Sequence, residues 1–269
     1  MNESFPRVDA RLARSRFNRA GKSFEAAARL ESEVGARLLE RLDYVKLAPR
    51  RILDAGSGPA REAGALRKLY PGAQVVALDY ALALLPKRGW FGRGPLAVCA
   101  DFLRMPLADA SVGLVWSNLA LHWVNDPLAA FREFERVLAP GGLLMFSTLG
   151  PDTLQELRAA AGRARVHEFI DMHDLGDMLV AAGLATPVMD MERLQIDYRA
   201  GSALLDDLRA SGQTNAREDR SRGLAGRGLL SAFRTRPLRA TYEVVYGHAW
   251  KPQAKSAGAK TIRVFKRIP

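Results

Sequence analysis

Cysteine is nearly absent from this chain: Cys99 stands alone among 269 residues. One thiol cannot close an internal disulfide, and it cannot build a cysteine-based metal cluster. Histidine is also scarce, and His173 and His248 lack a second ligand at metal-binding spacing, so no metal site is expected. Long apolar runs are missing too. None approaches the roughly 18 residues of a membrane span, and the opening MNESFPRVDARLARSRF has no apolar core of a secretory leader. A cytoplasmic protein with no membrane partner is the expectation. Acidic residues are in deficit, 29 against 40 Lys and Arg, for a net charge of +11. Such an excess points to an acidic partner: a nucleic acid, a membrane surface or an acidic protein. It gathers in an N-terminal arm (Arg7, Arg11, Arg14, Arg16, Arg19, Lys22) and in Arg217–Arg239, which includes Arg220, Arg222, Arg227, Arg234 and Arg236. At 48% hydrophobic and 26% charged, the chain otherwise has the composition of an ordinary globular protein with a sizeable core.

What is present is a regular alternation of period. Glu33–Leu47 carries Val34, Leu38, Leu42 and Val45 at helical spacing. Short strand-like runs follow at Arg51–Ala55, Gln74–Asp79, Leu96–Ala100, Ser111–Asn118 and Leu143–Thr148. Between them, helices are expected at Arg61–Tyr70, Leu82–Lys87 and Pro127–Leu138, with a glycine-rich loop at Gly89–Gly94. This order predicts βαβ units and an open, mostly parallel α/β sheet with helices on both faces. Beyond Gly150, helices are expected at Asp152–Ala161 (capped by Asp152), Asp174–Ala182 and Leu204–Ser211. Strands are expected at Val188–Tyr198, Thr241–Ala249 and Thr261–Lys266, and an arginine-rich loop at Gln213–Gly228. No second-domain boundary stands out. The chain reads as one domain over 1–269, with an arm and helix (1–48), a first half (49–150) and a second half with lid segments (151–269).

The chemistry concentrates at strand ends. Arg51–Gly58 (RILDAGSG) ends a short apolar run at Asp54, and Gly56, Ser57 and Gly58 then leave almost no side chain in a ligand's way. A strand, a glycine turn and a helix in that order present backbone N–H groups to polar or anionic ligand atoms. Asp79 ends the second strand, Asp101 follows the third, and Asn118 ends the fourth. In an open parallel sheet these ends converge on one crevice. An acid about 25 residues after the turn suits a ribose, because its two oxygens accept from both hydroxyls. Asp101 is placed to accept from an adenine amino group, with Phe102 beside it for stacking. Each acid has a plainer alternative as a helix or turn cap; three in register favour a nucleoside-type ligand. A NAD dehydrogenase is disfavoured, because Arg61 stands where the third fingerprint glycine belongs.

This register resembles the class I S-adenosylmethionine-dependent methyltransferases, through LDAGSGPA (53–60), VVALD (75–79), CADF (99–102), LVWSNLALHW (114–123) and VLAPGGLL (137–144). A further resemblance reaches both ends, to the malonyl-acyl carrier protein O-methyltransferases of biotin synthesis. It rests on RFNRAGKSFEAAARLESEVGARLLERLDYVKL, SNLALHWVNDP, FSTLGPDTLQELR, FIDMHDLGDMLVAAG, TPVMDMERL and RATYEVVYGHAW. The resemblance implies a Rossmann-like sheet with a helical lid and S-adenosyl-L-methionine as cofactor. It implies that Phe24, Asp54, Gly56, Ser57, Gly58, Asp79, Tyr80, Asp101, Phe102, Asn118 and Leu119 form the cofactor site. It also implies that the acceptor is the free carboxylate of a malonyl thioester on acyl carrier protein, whose acidity would match the basic excess. The chain departs from the family in having Phe24 where Tyr is usual and Ala60 where Gly is common. Ala232–Leu238, in the substrate lid, also looks shortened.

A carboxylate is already ionised at neutral pH and needs no general base. What such a site must add is a cation to seat it, and the planar fork of arginine suits this. Arg158 is the candidate, with His122 and Trp123 lining the acceptor pocket. Two rival readings remain: a methyltransferase acting on RNA, and a catalytically weakened relative serving as a binding or assembly protein. The arginine tracts lack interleaved aromatics for base stacking, which weighs against RNA, and DNA is not expected as a partner.

Overall fold

The computed structural model describes residues 7–87, 94–220 and 235–253. The strands are β1 (Arg51–Ala55), β2 (Gln74–Asp79), β3 (Leu96–Cys99), β4 (Val112–Ser117), β5 (Leu138–Leu149), β6 (Ala185–Tyr198) and β7 (Leu238–Trp250). They form one seven-stranded sheet in the order β3-β2-β1-β4-β5-β7-β6. The first five run parallel, and β7 pairs antiparallel with both β5 and β6. The chain works outward from β1 to β3 and then returns to place β4 on the other side of β1. Strand order therefore reverses at the end of β1, where open α/β sheets bind ligands.

The helices are α1 (Ala10–Ala20), α2 (Phe24–Ala27), α3 (Arg29–Leu42), α4 (Ala63–Leu69), α5 (Pro127–Val137), α6 (Gln155–Ala161), α7 (Met172–Ala181) and α8 (Gly201–Ala210). Strand β1 is buried on both faces, as a central parallel strand must be. Ile52 joins Val34, Leu38 and Leu66 on one face, while Leu53 joins Phe131, Phe134 and Phe146 on the other. Helix α5 starts as its sequence dictates: Asp126 accepts from the N–H of Ala129, and Pro127 occupies the first turn.

Several sequence expectations are corrected. Leu82–Lys87 is not a helix. The Ala83 N–H donates to the side chain of Asn18, the Ala81 N–H to Asp79, and Pro86 follows, so the backbone is committed to outside partners. The fifth strand starts earlier than Leu143: β5 begins at Leu138 and runs through Pro140-Gly141-Gly142, with Gly141 at φ +77° and a register shift opposite β4. Asp152 does not cap α6. It pairs with Arg193 on β6, and Leu154, at φ +53°, starts the helix. Helix α3 starts earlier than expected and ends at Leu42, leaving Val45 outside it. The expected strand Thr261–Lys266, residues 89–93 of the glycine-rich loop, and residues 221–234 of the arginine-rich segment, which include the first three residues of Ala232–Leu238, lie outside the described residues.

The N-terminal cations Arg7, Arg11, Arg14, Arg19 and Lys22 are exposed, while a few arginines of the basic excess are engaged within the molecule. Arg217 is 4% exposed and binds Asp219, the Glu168 carboxylate and the carbonyls of Arg163 and Val166. Arg16 donates to the carbonyls of Thr214 and Asn215. Arg239 pairs with Asp197. Arg16 and Arg217 hold loops together, and Arg239 joins β7 to β6. Among the described residues no helix is long and apolar enough to cross a membrane, and no cluster of His, Cys, Asp or Glu could hold a metal ion.

Candidate functional site

The carboxyl ends of β1, β2 and β4 open into a cavity of about 280 Å³, near the lower end of small-molecule pockets. Its floor is the glycine turn. The N–H groups of Gly56 and Ser57 both donate to the Leu78 carbonyl (2.8 and 3.0 Å), which folds the turn over the end of β2. Gly56 and Gly58 take φ of +72° and +51°, a region closed to most side chains. Ala60 also sits at φ +55°, a geometry that costs an alanine about 1 kcal/mol and that a glycine would adopt freely.

Asp54, Asp79 and Asp101 all line this one cavity, as the strand-end register predicts. Asp79 is held by two backbone donors, Gly58 N–H at 2.9 Å and Ala81 N–H at 2.7 Å. Burial nevertheless raises its pKa above the usual carboxylate value, against the pull of those donors. Asp54 is buried, and its Oδ2 has no hydrogen-bond partner among the described residues. Burial first, then the charges of Glu62 and Asp79, push its pKa well up. A buried carboxyl without a donor is costly unless a ligand supplies one. Asp101 turns one oxygen back to the Leu103 N–H (2.9 Å). Phe102 lines the cavity while leaning on Phe134, ring centroids 5.6 Å apart. Asn118 bridges α3 and β5: its amide donates to the Glu31 carbonyl (2.9 Å), and its oxygen accepts from Ser147 (2.7 Å). Leu119, at φ +49°, donates its N–H to Ser147 Oγ.

The roof comes from the chain's first helices. Phe17 on α1 and Phe24 on α2 are nearly buried and line the cavity, with the Tyr80 ring set edgewise to Phe17. Burial raises the Tyr80 hydroxyl's pKa, so it stays protonated. The roof is stitched down at Asp9 N–H to Ala216 O (2.8 Å) and Glu218 N–H to Arg7 O (2.8 Å). Ala216 N–H in turn donates to His167 Nε2 (2.8 Å).

Two lining residues, Glu31 and Glu62, escape sequence reasoning. Glu31 sits on α3 and accepts from Gln213, 182 residues away; Glu62 sits just before α4 and comes close to Gly35. No local pattern marks either. With them and Asp126, the cap of α5, the lining carries six carboxyl side chains against the two arginines Arg7 and Arg61. In a chain of net charge +11, the cavity is an acidic island. Burial raises the pKa of Asp54, Asp79, Glu31 and Glu62, and a positively charged ligand would favour their ionised forms and be held by them.

Burial pushes Glu31 up to about 7, with Glu62 adding to the rise and Arg61 and its own backbone opposing it. From its ordinary value near 4.5 to about 7, the folded chain holds a proton there that the unfolded chain has released. Stability of the ligand-free protein should therefore fall as pH rises through that window. Thermal melts between pH 5 and 8 should show the decline, and Glu31→Gln should flatten it; an identical slope in the variant would exclude Glu31 as the source.

The acceptor-side candidates separate. Trp123 lines the main cavity and also a side pocket of about 50 Å³ that contains His122. The Nδ1 of His122 is buried without a partner, and burial together with nearby His167 lowers its pKa to about 3, so the ring is neutral. Arg158 is not brought to either pocket. Its guanidinium donates to the carbonyls of Pro151, Thr153 and His167, bracing the loop that follows β5. His173 is exposed and pairs with Asp171, and Tyr242 and Tyr246 are buried in the sheet.

This sheet order, with its antiparallel β7 and a ligand cleft at the end of β1, is the architecture of a class I methyltransferase. Residues 53–146 match the family model described as methyltransferase domain. Two solved structures share the fold. The YcgJ protein of Bacillus subtilis has a TM-score of 0.57 at 16% identity, covering 81% of this chain and 100% of that one. A Haemonchus contortus phosphoethanolamine N-methyltransferase 2, in complex with S-adenosyl-L-methionine, has a TM-score of 0.51 at 19% identity, covering 81% and 52%. Sequence relatives go further. The malonyl-[acyl-carrier protein] O-methyltransferase of Methylovorus sp. (strain MP688) is 49% identical, covering 93% of this chain and 92% of its own. That of Laribacter hongkongensis (strain HLHK9) is also 49% identical, covering 95% and 93%. The chain belongs to the malonyl-[acyl-carrier protein] O-methyltransferase family.

Proposed function

We propose that this protein transfers a methyl group from S-adenosyl-L-methionine to the free carboxylate of malonyl-acyl carrier protein, giving the methyl ester. The observation that carries the proposal is the near-half identity to relatives bearing that name over almost their whole length. The cavity fits the cofactor: a glycine floor, an unpartnered buried carboxyl at Asp54 and an acidic lining suit an adenosyl group whose tail carries a sulfonium and an ammonium against one carboxylate. When bound, the cofactor supplies a methyl group activated by its sulfonium sulfur.

The chain's own residues do the rest. Asp79 accepts from the ribose hydroxyls, and Asp101 and Phe102 hold the base. Asp54, Glu31 and Glu62 balance positive charge, and Arg61 sits beside them to receive the amino-acid carboxylate. Phe17, Phe24 and Trp123 close the roof and exclude water, which strengthens every charge interaction inside. The acceptor carboxylate needs no proton removed, so neutral His122 is not required as a base. Catalysis rests on alignment of two reactants. The whole chain acts as one domain in this reading, since sheet, roof and side pocket draw on residues from Arg7 to Tyr242.

Incubation with methyl-labelled cofactor and either malonyl-carrier protein or total RNA tests the proposal. Label should appear in a base-labile ester on the carrier. Label in RNA, or cofactor binding with no transfer to the carrier, would overturn it.

A further inference from the structure

The two pockets differ in charge as well as size. The main cavity is dominated by carboxyl side chains, an unfavourable lining for an acceptor carboxylate and a favourable one for a cationic donor. The side pocket has no Asp or Glu in its lining, and its charged residue is Arg165. Arg165 ends a short 3-10 turn, Arg163–Arg165, and is half-buried. The turn is braced from behind: Arg217 binds the carbonyls of Arg163 and Val166, and Asn215 donates to the Ala164 carbonyl. A guanidinium on a pinned turn is pre-oriented, which lowers the entropy cost of gripping a ligand.

The other side of the pocket is built from rings. Trp123 packs edgewise on His167 (4.9 Å), and His122 on Phe169 (5.7 Å). His122 lines the pocket, and its Nδ1 is buried and has no partner among the described residues. Trp123 and Gln213 line both pockets, so a group in the side pocket abuts one in the main cavity.

We infer that Arg165 is the specificity residue that holds the acceptor's carboxylate, from a side pocket that borders the donor cavity at Trp123 and Gln213, with one carboxylate oxygen left facing the donor. The inference rests on the carboxyl-methylation reading above and names the part of the site that selects a carboxylate-tipped acyl thioester over an uncharged one. Arg158, the sequence candidate, is committed to backbone carbonyls, and Arg61 stands among the acids of the donor cavity.

The test uses the full chain, with malonyl-carrier protein as substrate and acetyl-carrier protein, which lacks the carboxylate, as competitor. A charge-assisted hydrogen-bond pair is worth about 1.5–3 kcal/mol, so Arg165→Gln should raise KM for malonyl-carrier protein on the order of 10- to 100-fold. The cofactor Kd should stay unchanged, which also reports that the variant is folded. Competition should shift with it: the wild type should bind the malonyl form in preference to the acetyl form, and Arg165→Gln should bind the two alike. Arg165→Lys keeps the charge but loses the planar fork, and should recover part of the preference. If the wild type methylates the carrier but Arg165→Gln and Arg165→Lys keep its KM and its preference, the inference is wrong and the methylation reading stands. If the wild type transfers no methyl to the carrier, the underlying reading fails instead.

Discussion

Gly56→Ala is expected to lose a substantial part of the protein's stability margin and its cofactor binding together. Two penalties coincide at this residue. Its φ of +72° places alanine in the left-handed region, a strain of roughly 1–2 kcal/mol. A Cβ there would also overlap the Cβ of Ala120, on the segment leaving β4. Neither partner is a flexible side-chain tip, so backbone must move, at a further cost of about 1–3 kcal/mol. Against a typical margin of roughly 5–15 kcal/mol, the sum is a large fraction. The movement would lift the cavity floor from its bond to Leu78 O. Urea unfolding should show the midpoint falling sharply, and calorimetry should show cofactor affinity lost even where the variant remains folded. Gly72→Ala is the control. It has φ +87° but open space around its Cβ, so it should show the strain penalty alone and bind cofactor normally.

Asp79→Ala is expected to weaken cofactor binding by a hundredfold or more. A carboxylate that accepts from two ribose hydroxyls makes two charge-assisted bonds, each worth about 1.5–3 kcal/mol. The variant also releases the Gly58 and Ala81 N–H groups, which Asp79 now holds in place. Asp79→Asn should fall between, since the amide keeps one acceptor but offers a donor where a second acceptor is needed. Folding should suffer less than binding, because burial already disfavours the charge on Asp79. Calorimetric titration of the three proteins is the measurement. An unchanged Kd in Asp79→Ala would mean that the ribose lies elsewhere in the cavity.

The main cavity was legible in advance because its parts sit at the ends of consecutive strands. Once the period of β1, β2 and β4 is read, parallel pairing carries Asp54, Asp79 and Asn118 to one edge of the sheet. The glycine turn follows the same logic, since only residues without a Cβ pass there. Local periodicity and turn chemistry were enough for that half of the site.

The remainder depended on pairings over long sequence distances. The bond from Gln213 to Glu31, the stitch from Asp9 to Ala216 and the brace from Arg217 to Val166 join segments about 50 to 200 residues apart. A local pattern carries no trace of them. Arg158 and Arg165 illustrate the consequence. Both are arginines in the same stretch after β5, and sequence gives no ground for choosing between them. Tertiary contacts turn the first into a loop brace and leave the second facing the side pocket. By itself, then, the order of residues determined the sheet, the glycine floor and the row of acids. Only packing decided which carboxyls are buried, which arginines are spent on carbonyls, and where a positive charge meets an acidic cavity across Trp123. The physical reason is that strand-end geometry is set by neighbours a few residues away, whereas burial and charge balance are set by whichever distant segments fold over the site.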